Sequence, residues 1–525
     1  RELTDLATAH ASLDARRDGA FFLSQAATAS IESESRRLVP LCILVLYGIT
    51  VLLFRGPLIA LRVLLAPLLA LLSTLAVAAA INIPLGPLSQ LVPSYLLIIG
   101  TSYAVHVASR LRSCGTTDWK ETTAAILLAA ATTIIGTLSL VLLNAREALR
   151  FSLLSSAGIC LAALFALTLT PIIIRTSGPP LLFASIRGTR TRPRTAGAAI
   201  VAVLVVSLGT LLLHVHTAPQ MFLKEKAVST HASAVFPGNH WLSLTFEGVS
   251  PSELDHLANR FDALEARVAR LEGVVSLLSP LQFHRYHQSL PAFFGERQDD
   301  FGPASINALD RGAFRLLIEM QVEGAELLHL ADEIRSAVRE ELPSLNSAVS
   351  SPELIMAEQA DDLIRGLLAS LACTGIIIAI ILWSITRSLR VTAIGLLPNV
   401  LPVLFMFGAI GILFGALNLG TALVASATLA IAVDNTLHFL LTYKSAPHSS
   451  AVETLNTVLP AYLTTTAVLV GGFAVLVVSE ILPIYQFGLL LASTLTVGLV
   501  GDAVILPWLI ERWVDNSDFH ARKAR

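Results

Sequence analysis

Charge is scarce in this sequence. Asp, Glu, Lys and Arg make up 14% of its 525 residues, where a soluble globular protein carries about 25%. The 36 basic and 38 acidic residues nearly cancel, so the basic surplus of a nucleic-acid binder is missing. Cysteine is scarce too. Cys42, Cys114, Cys160 and Cys373 lie outside the long polar segments, which excludes a disulfide framework and a Cys-based zinc site. No G-x-x-x-x-G-K-[ST] occurs, so nothing supports ATP drive, and no other cofactor motif is found. The pair His284 and His287 lacks further ligands at metal spacing and reads as loop polarity. The chain opens at Arg1 without a start Met or a signal peptide, which sets the expectation that its native N-terminus lies upstream.

What is present is oil. Hydrophobic residues make up 54% of the chain and the mean hydropathy is +0.70. A helix needs about 20 apolar residues to cross a bilayer. Eleven runs qualify, near 38–54, 58–82, 88–109, 124–143, 152–174, 196–213, 365–385, 391–414, 418–441, 461–479 and 483–510. The sequence thus predicts a polytopic α-helical membrane protein. Basic residues gather in alternate loops, from Arg55 to Arg194 and again from Arg387 to Arg525, while the opposite short loops hold only Arg146 and Arg150. The basic side is expected to be the cytoplasm. The start of the chain and the polar stretch 214–364 then lie outside.

The chain also repeats itself. At an offset of 332, Arg55 meets Arg387, Ser94 meets Ser426, His106 meets His438 and Arg112 meets Lys444. At 336, Gly136 meets Gly472, Phe151 meets Phe487 and Pro171 meets Pro507. Both copies keep their basic loops on one side, so the repeats run parallel about an axis along the membrane normal. An odd span number with the N-terminus outside predicts one helix, and most of a first outer domain, ahead of Arg1.

The expected organisation is the end of a first outer domain (1–37), a first bundle (38–175), a basic linker (176–195) and a lone span (196–213). A second outer domain (214–364), a second bundle (365–511) and a tail (512–525) follow. In the second outer domain, "HWLSLTFEGV", "VVSLLS", "FRLLIEMQVEG" and "NSAVSS" read as strands around two amphipathic helices. The two β-α-β units predict small ferredoxin-like α+β subdomains. The aromatic-rich link between them, "LQFHRYHQSLPAFFGERQDDFGP", is open to two readings, contact with an apolar ligand or plain packing.

One carboxylate stands out. Asp434 sits in "LAIAVDNTLHFLLTYK", inside a span, where a charge costs roughly 2.5–3.5 kcal/mol on insertion scales. A proton removes that cost, so such a group is suited to taking up and releasing one. His438 shares its helical face four residues on, and Ser102 shares a face with His106 in the first half. Asp434, Asn435, His438, Ser102, Tyr103 and His106 form a candidate proton relay. The alternative is packing, with Asp434 hydrogen-bonded to a neighbour such as Thr465 of the "TTT" run. Asp502 is a secondary candidate; its first-half match is Ala166. Ser102, His106, His438 and Asp434 also hold the atoms of a hydrolytic triad. No G-x-S-x-G accompanies them, and the two-fold repeat points to a relay.

"LLPNVLPVLFMFGAIG", "LAIAVDNTLHFLL" and "GGFAVLVVSEILPIYQFGLLLASTLTVGLVGDAVILPWL" resemble the second half of RND-superfamily exporters. The MMPL-type predicted-exporter branch, kin to hopanoid, mycobacterial lipid and Patched-like sterol transporters, is the nearest in pattern. "LVPSYLLIIGTSYAVHVASRL" and "FSLLSSAGICLAALFALTLTPII" fit its first half. The resemblance implies two parallel six-helix RND repeats with periplasmic porter domains, in a bacterial inner membrane. It implies secondary active export of a lipid or other hydrophobic molecule, driven by protons at Asp434, rather than enzyme activity. A non-pumping lipid- or sterol-responsive or scaffolding relative is the alternative. Periplasmic adaptor or lipid-binding partners are implied, and a homo-oligomer is left open. One feature departs from the pattern: many members carry Asp where this chain has Ser102, in Gly100, Thr101, Ser102 and Tyr103.

Overall fold

The computed structural model describes residues 20–83, 86, 89–114, 119–174, 182–183, 185–188, 193–215, 240–247, 251–279, 313–322, 324–445 and 449–514. The aromatic link 281–303, the His284/His287 pair, residues 1–19 and most of the 176–195 linker and the tail lie outside them. The chain divides into two compact units, one made mainly of residues 225–361 and one of the helices on either side.

The helical unit holds all eleven expected spans. In lipid every backbone N–H and C=O must be satisfied within the segment, so long apolar runs become helices. The first half runs α1 (Ala20–Phe54), α2 (Pro57–Ala80), α3 (Leu91–Cys114), α4 (Trp119–Ser139) and α5 (Arg146–Ile173). The lone span α6 (Pro193–Ser207) follows, then a short strand β1 (His214–Val215). Several helices outrun their apolar stretches. α4 and α5 begin five and six residues before the expected span starts, because their first turns hold Lys120, Glu121, Arg146 and Glu147. Polar ends are compatible with helix once they leave the oil.

The second half repeats the plan after the polar unit. It runs α9 (Pro352–Thr386), α10 (Leu389–Leu413), strand β6 (Ala416–Leu417), α11 (Leu419–Ser445), α12 (Ala451–Val475) and α13 (Leu482–Val500), with α7 and α8 in the polar unit. A π-turn (Gly501–Ile505) then leads into α14 (Leu506–Trp513). A capping box between Ser450 and Glu453 starts α12 ten residues before its apolar run. The repeat is visible in the backbone. α1 and α9 are both 35 residues long and lie 332 apart. Arg55 and Arg387, the paired basic residues that end them, both adopt positive φ, at 52° and 55°.

The middle of this unit is made by α3 and α11. The α3 span is buried along its whole apolar window and α11 nearly so, while α6 and α9 stay mostly exposed. The halves lock by matched contacts. Gly136 of α4 lies against Ala430 of α11, and its repeat mate Gly472 of α12 lies against Ile98 of α3, the mate of Ala430. A side chain on either glycine would collide, with Ala430 and the α11 backbone at Gly136 and with the Ile98 side chain at Gly472, so helix backbones approach closely at the first. Phe151 and Phe487, another repeat pair, meet edge to face with centroids 6.0 Å apart, flanked by Tyr95 and Phe473.

The polar unit holds β2 (His240–Glu247), α7 (Pro251–Val268), β3 (Val274–Leu278), β4 (Ala313–Met320), α8 (Gly324–Glu341) and β5 (Asn346–Ser350). Its strands form one antiparallel sheet in the order β3-β4-β2-β5, the split β-α-β topology. Both β-α-β units read from the sequence are present. β2 pairs with both β4 and β5, so the two β-α-β units share one sheet. Leu242, Leu244 and Phe246 alternate inward on β2, as do Leu316, Ile318 and Met320 on β4, and Phe261, Ile334 and Val338 of the helices cover them.

Candidate functional site

α3 and α11 bring the two histidines together. Four-residue spacing puts Ser102 and His106 on one face of α3, and Asp434 and His438 on one face of α11. The rings of His106 and His438 stack, with centroids 4.8 Å apart and planes inclined at 28°. His438 Nε2 stands 3.5 Å from Asp434 Oδ1. Among the described residues, neither Asp434 Oδ1 nor His106 Nε2 has a hydrogen-bond partner. Arg110, one turn beyond His106, is electrostatically coupled to both imidazoles. Asp434 thus neighbours His438 along α11, and His438 neighbours His106 across to α3.

Asp434 also lines a small cavity of about 10 Å³ with Ile99, Ser102, Tyr103, Thr133, Ile431 and Leu469. That is close to the least volume that holds one water molecule. The Tyr103 hydroxyl donates to Thr133 Oγ1 at 3.3 Å. Ser102 and the acid line the same cavity. Among the described residues no hydrogen bond links Ser102 to either imidazole.

The sixth member of the expected set points elsewhere. The Asn435 side chain bonds to Asp502, and its carbonyl accepts from the Tyr462 hydroxyl. Asp502 belongs to a second polar cluster. Thr436 Oγ1 donates to Asp502 Oδ1 at 2.6 Å, and Asn399 Nδ2 donates to Thr436 Oγ1 at 2.9 Å and to the Gly395 carbonyl at 2.8 Å. Thr436 and Asn435 follow Asp434 directly, so one helix carries both clusters on different faces. Asp502 sits in the π-turn, where the extra residue per turn swings its side chain toward α11.

Thr465 does not reach Asp434. Its hydroxyl donates to the Ala461 and Tyr462 carbonyls of its own helix, and Thr464 does the same to Pro460. This is the usual recourse of a threonine inside a helix in lipid. Sequence reading missed Thr133, Asn399, Thr436 and Tyr462. Asn399 carried a signal, being an amide inside a span between Pro398 and Pro402. The threonines and the tyrosine carried none, since such residues are common in apolar helices.

Known proteins agree with this architecture. The MMPL family profile matches residues 256–510. No curated protein matches the chain. The structure is similar to the hedgehog release protein Disp from the water bear Hypsibius dujardini, with TM-score 0.62 and 13% identity over 93% of this chain and 71% of that one. It is similar to SecDF, a translocon-associated membrane protein from Thermus thermophilus, with TM-score 0.58 and 12% identity over 92% of this chain and 62% of that one. It is also similar to a heavy metal efflux pump, with TM-score 0.56 and 12% identity over 94% of this chain and 69% of that one. At such identities the likeness establishes the fold. The chain is therefore a multi-pass membrane protein with the fold these three structures share, and its residues 256–510 match the MMPL family profile.

Proposed function

We propose that the protein is a proton-driven exporter of a hydrophobic or amphiphilic molecule of the lipid class, working from a bacterial inner membrane toward the periplasm. The observation that carries this reading is Asp434. Its Oδ1 is buried and without a hydrogen bond, 3.5 Å from one of two stacked imidazoles. A carboxylate kept only for packing would be expected to satisfy its oxygens. A carboxyl that gains and loses a proton needs a neighbour able to exchange it, and His438 is such a neighbour.

In this reading the charge of Asp434 sets the preferred arrangement of α3 and α11. Those helices lie at the centre of the bundle, so a small shift between them moves both halves. The chain's own residues divide the work. Asp434 holds the proton, His438 and His106 pass it toward the basic loops, and Tyr103 and Thr133 border the cavity on the acid's other side. Cargo travels in clefts beside the helices and through the outer domains, with periplasmic adaptor or lipid-binding proteins as partners. A homo-oligomer is compatible with the same scheme.

Ser102 favours a second reading. With one carboxylate where the resembling exporters carry two, the protein would sense or scaffold lipid without pumping. One experiment separates the two. The lipid that co-purifies is identified by mass spectrometry, and its movement is followed in proteoliposomes under a pH gradient. Gradient-dependent movement is expected for the wild type and is lost in Asp434→Asn at unchanged melting temperature. No movement in the wild type favours the second reading, and full movement in Asp434→Asn removes Asp434 from the mechanism.

A further inference from the structure

The cavity beside Asp434 is built from repeat pairs. Ile99 and Ile431 line it, as do Ser102 and Asp434, and Thr133 and Leu469, at the offsets 332, 332 and 336. Its first-half lining carries hydroxyls, on Ser102, Tyr103 and Thr133. Its second-half lining carries the acid, with Ile431 and Leu469.

The first-half hydroxyls continue away from the basic loops. Thr137 lies one turn beyond Thr133 on the same face of α4, and its hydroxyl meets that of Ser156 on α5 at 2.9 Å. Ser152 shares a face of α5 with Ser156. Ser155 shares one with Phe151, whose ring meets that of Tyr95 with centroids 5.4 Å apart. Tyr95, two turns before Tyr103 on α3, is electrostatically coupled to it. Tyr95, Ser152 and Ser155 are fully buried, and among the described residues their hydroxyls have no hydrogen-bond partner. A buried polar group left so costs about 1–3 kcal/mol. A hydroxyl kept only for packing avoids that cost by donating to a carbonyl of its own helix. In the second half the same positions are apolar or bare. Ala427 answers Tyr95, Phe473 answers Thr137, and Gly488, Leu491 and Ala492 answer Ser152, Ser155 and Ser156. The second-half hydroxyls of Thr428 and Thr494 meet each other at 3.4 Å, and Thr494 also donates to the Leu490 carbonyl at 2.7 Å.

We infer that the first-half hydroxyls, from Ser152 and Ser155 through the Ser156–Thr137 pair to Thr133 and Tyr103, are the path by which protons reach Asp434 from the side opposite the basic loops. Water suits such oxygens, since it both donates and accepts. A hydroxyl takes a proton from water on one side and releases its own on the other, so each ends unchanged. The halves then divide the task. The second holds the acid, and the first, which lacks it, holds the access. The inference rests on the reading of Asp434 as the proton site. The other titratable groups around Asp434 are His438 on its own helix, His106 and Tyr103 on α3, Tyr462 on α12 and Asp502 beyond α13, and of these only Tyr103 belongs to the path.

Time-resolved infrared spectroscopy of the whole chain in proteoliposomes tests it. The carboxyl band that Asp434→Asn removes is followed after acid is added on the side opposite the basic loops. Thr137→Val combined with Ser156→Ala is expected to slow its rise about tenfold, the weight of one ordinary hydrogen bond, and to leave its final amplitude unchanged. Thr137→Ser, which keeps the hydroxyl, should retain the wild-type rate. Thr428→Val combined with Thr494→Val removes two second-half hydroxyls and should change nothing. Equal rates in all variants overturn the path and leave the reading of Asp434 standing. So does equal slowing by the two double variants. A band that never rises in the wild type overturns that reading and the path together.

Discussion

The two halves of the helical unit share a frame and differ in chemistry. Arg55 and Arg387 turn the chain with the same positive φ, and Gly136 and Gly472 seat matched partners. His106 and His438 even stack on one another across the axis. Yet α11 carries Asp434 where α3 carries Ser102, and it alone reaches a second acid, Asp502, through Thr436. Symmetry serves packing, because two alike bundles bury alike faces. It is broken where charge is placed, because each charge in oil is costly and needs its own surroundings.

The sharpest way to break the comparison is to move the acid. Asp434→Asn is expected to reduce transport to background with folding intact, as read in proteoliposomes. Adding Ser102→Asp to that variant should restore part of the transport, since both positions border one cavity. No recovery would show that the second half holds more than the acid, with Asp502 and Thr436 the next to examine. Removing His438 should impair transport more than removing His106, because His438 faces Asp434 directly; equal losses would make the stacked pair a single unit.

Packing gives smaller effects and a finer comparison. Gly136→Ala puts a Cβ 2.2 Å from Ala430 Cβ and 2.9 Å from the Ser426 carbonyl. Gly472→Ala meets mainly the Ile98 side chain, at 2.7 Å, which can rotate. Thermal unfolding in detergent should show Gly136→Ala destabilised by about 1–3 kcal/mol, the range for overpacking, and Gly472→Ala by less. Equal losses would mean that Ile98 is as rigid as backbone. Smallest of all is the polar unit's surface. Arg335 bonds Glu358 at 2.8 Å and Asp332 at 2.9 Å in a partly exposed cluster. Arg335→Ala should cost no more than about 1 kcal/mol, and less in high salt.

Much of this was legible in sequence. The spans followed from hydropathy, the repeat from paired residues, and the His106–His438 meeting from their equal offset. Asp434 and His438 share a face by spacing alone. The second cluster was not legible. Asp502 reads as an isolated acid, because its partner Thr436 and Thr436's own partner Asn399 lie 66 and 103 residues away and the π-turn that aims it has no sequence mark. Thr465 looked like a partner for Asp434, yet a helical carbonyl four residues back was nearer.

By itself the sequence determined which stretches enter the membrane, which side is basic, and that two equivalent bundles form. Those are one-dimensional properties, set by the transfer of residues between water and oil and by a period along the chain. Only the tertiary structure decided that one sheet serves both β-α-β units and that Asn435 turns toward Asp502 rather than the histidines. These depend on how helices and strands are rotated about their own axes, and packing between distant segments fixes that rotation.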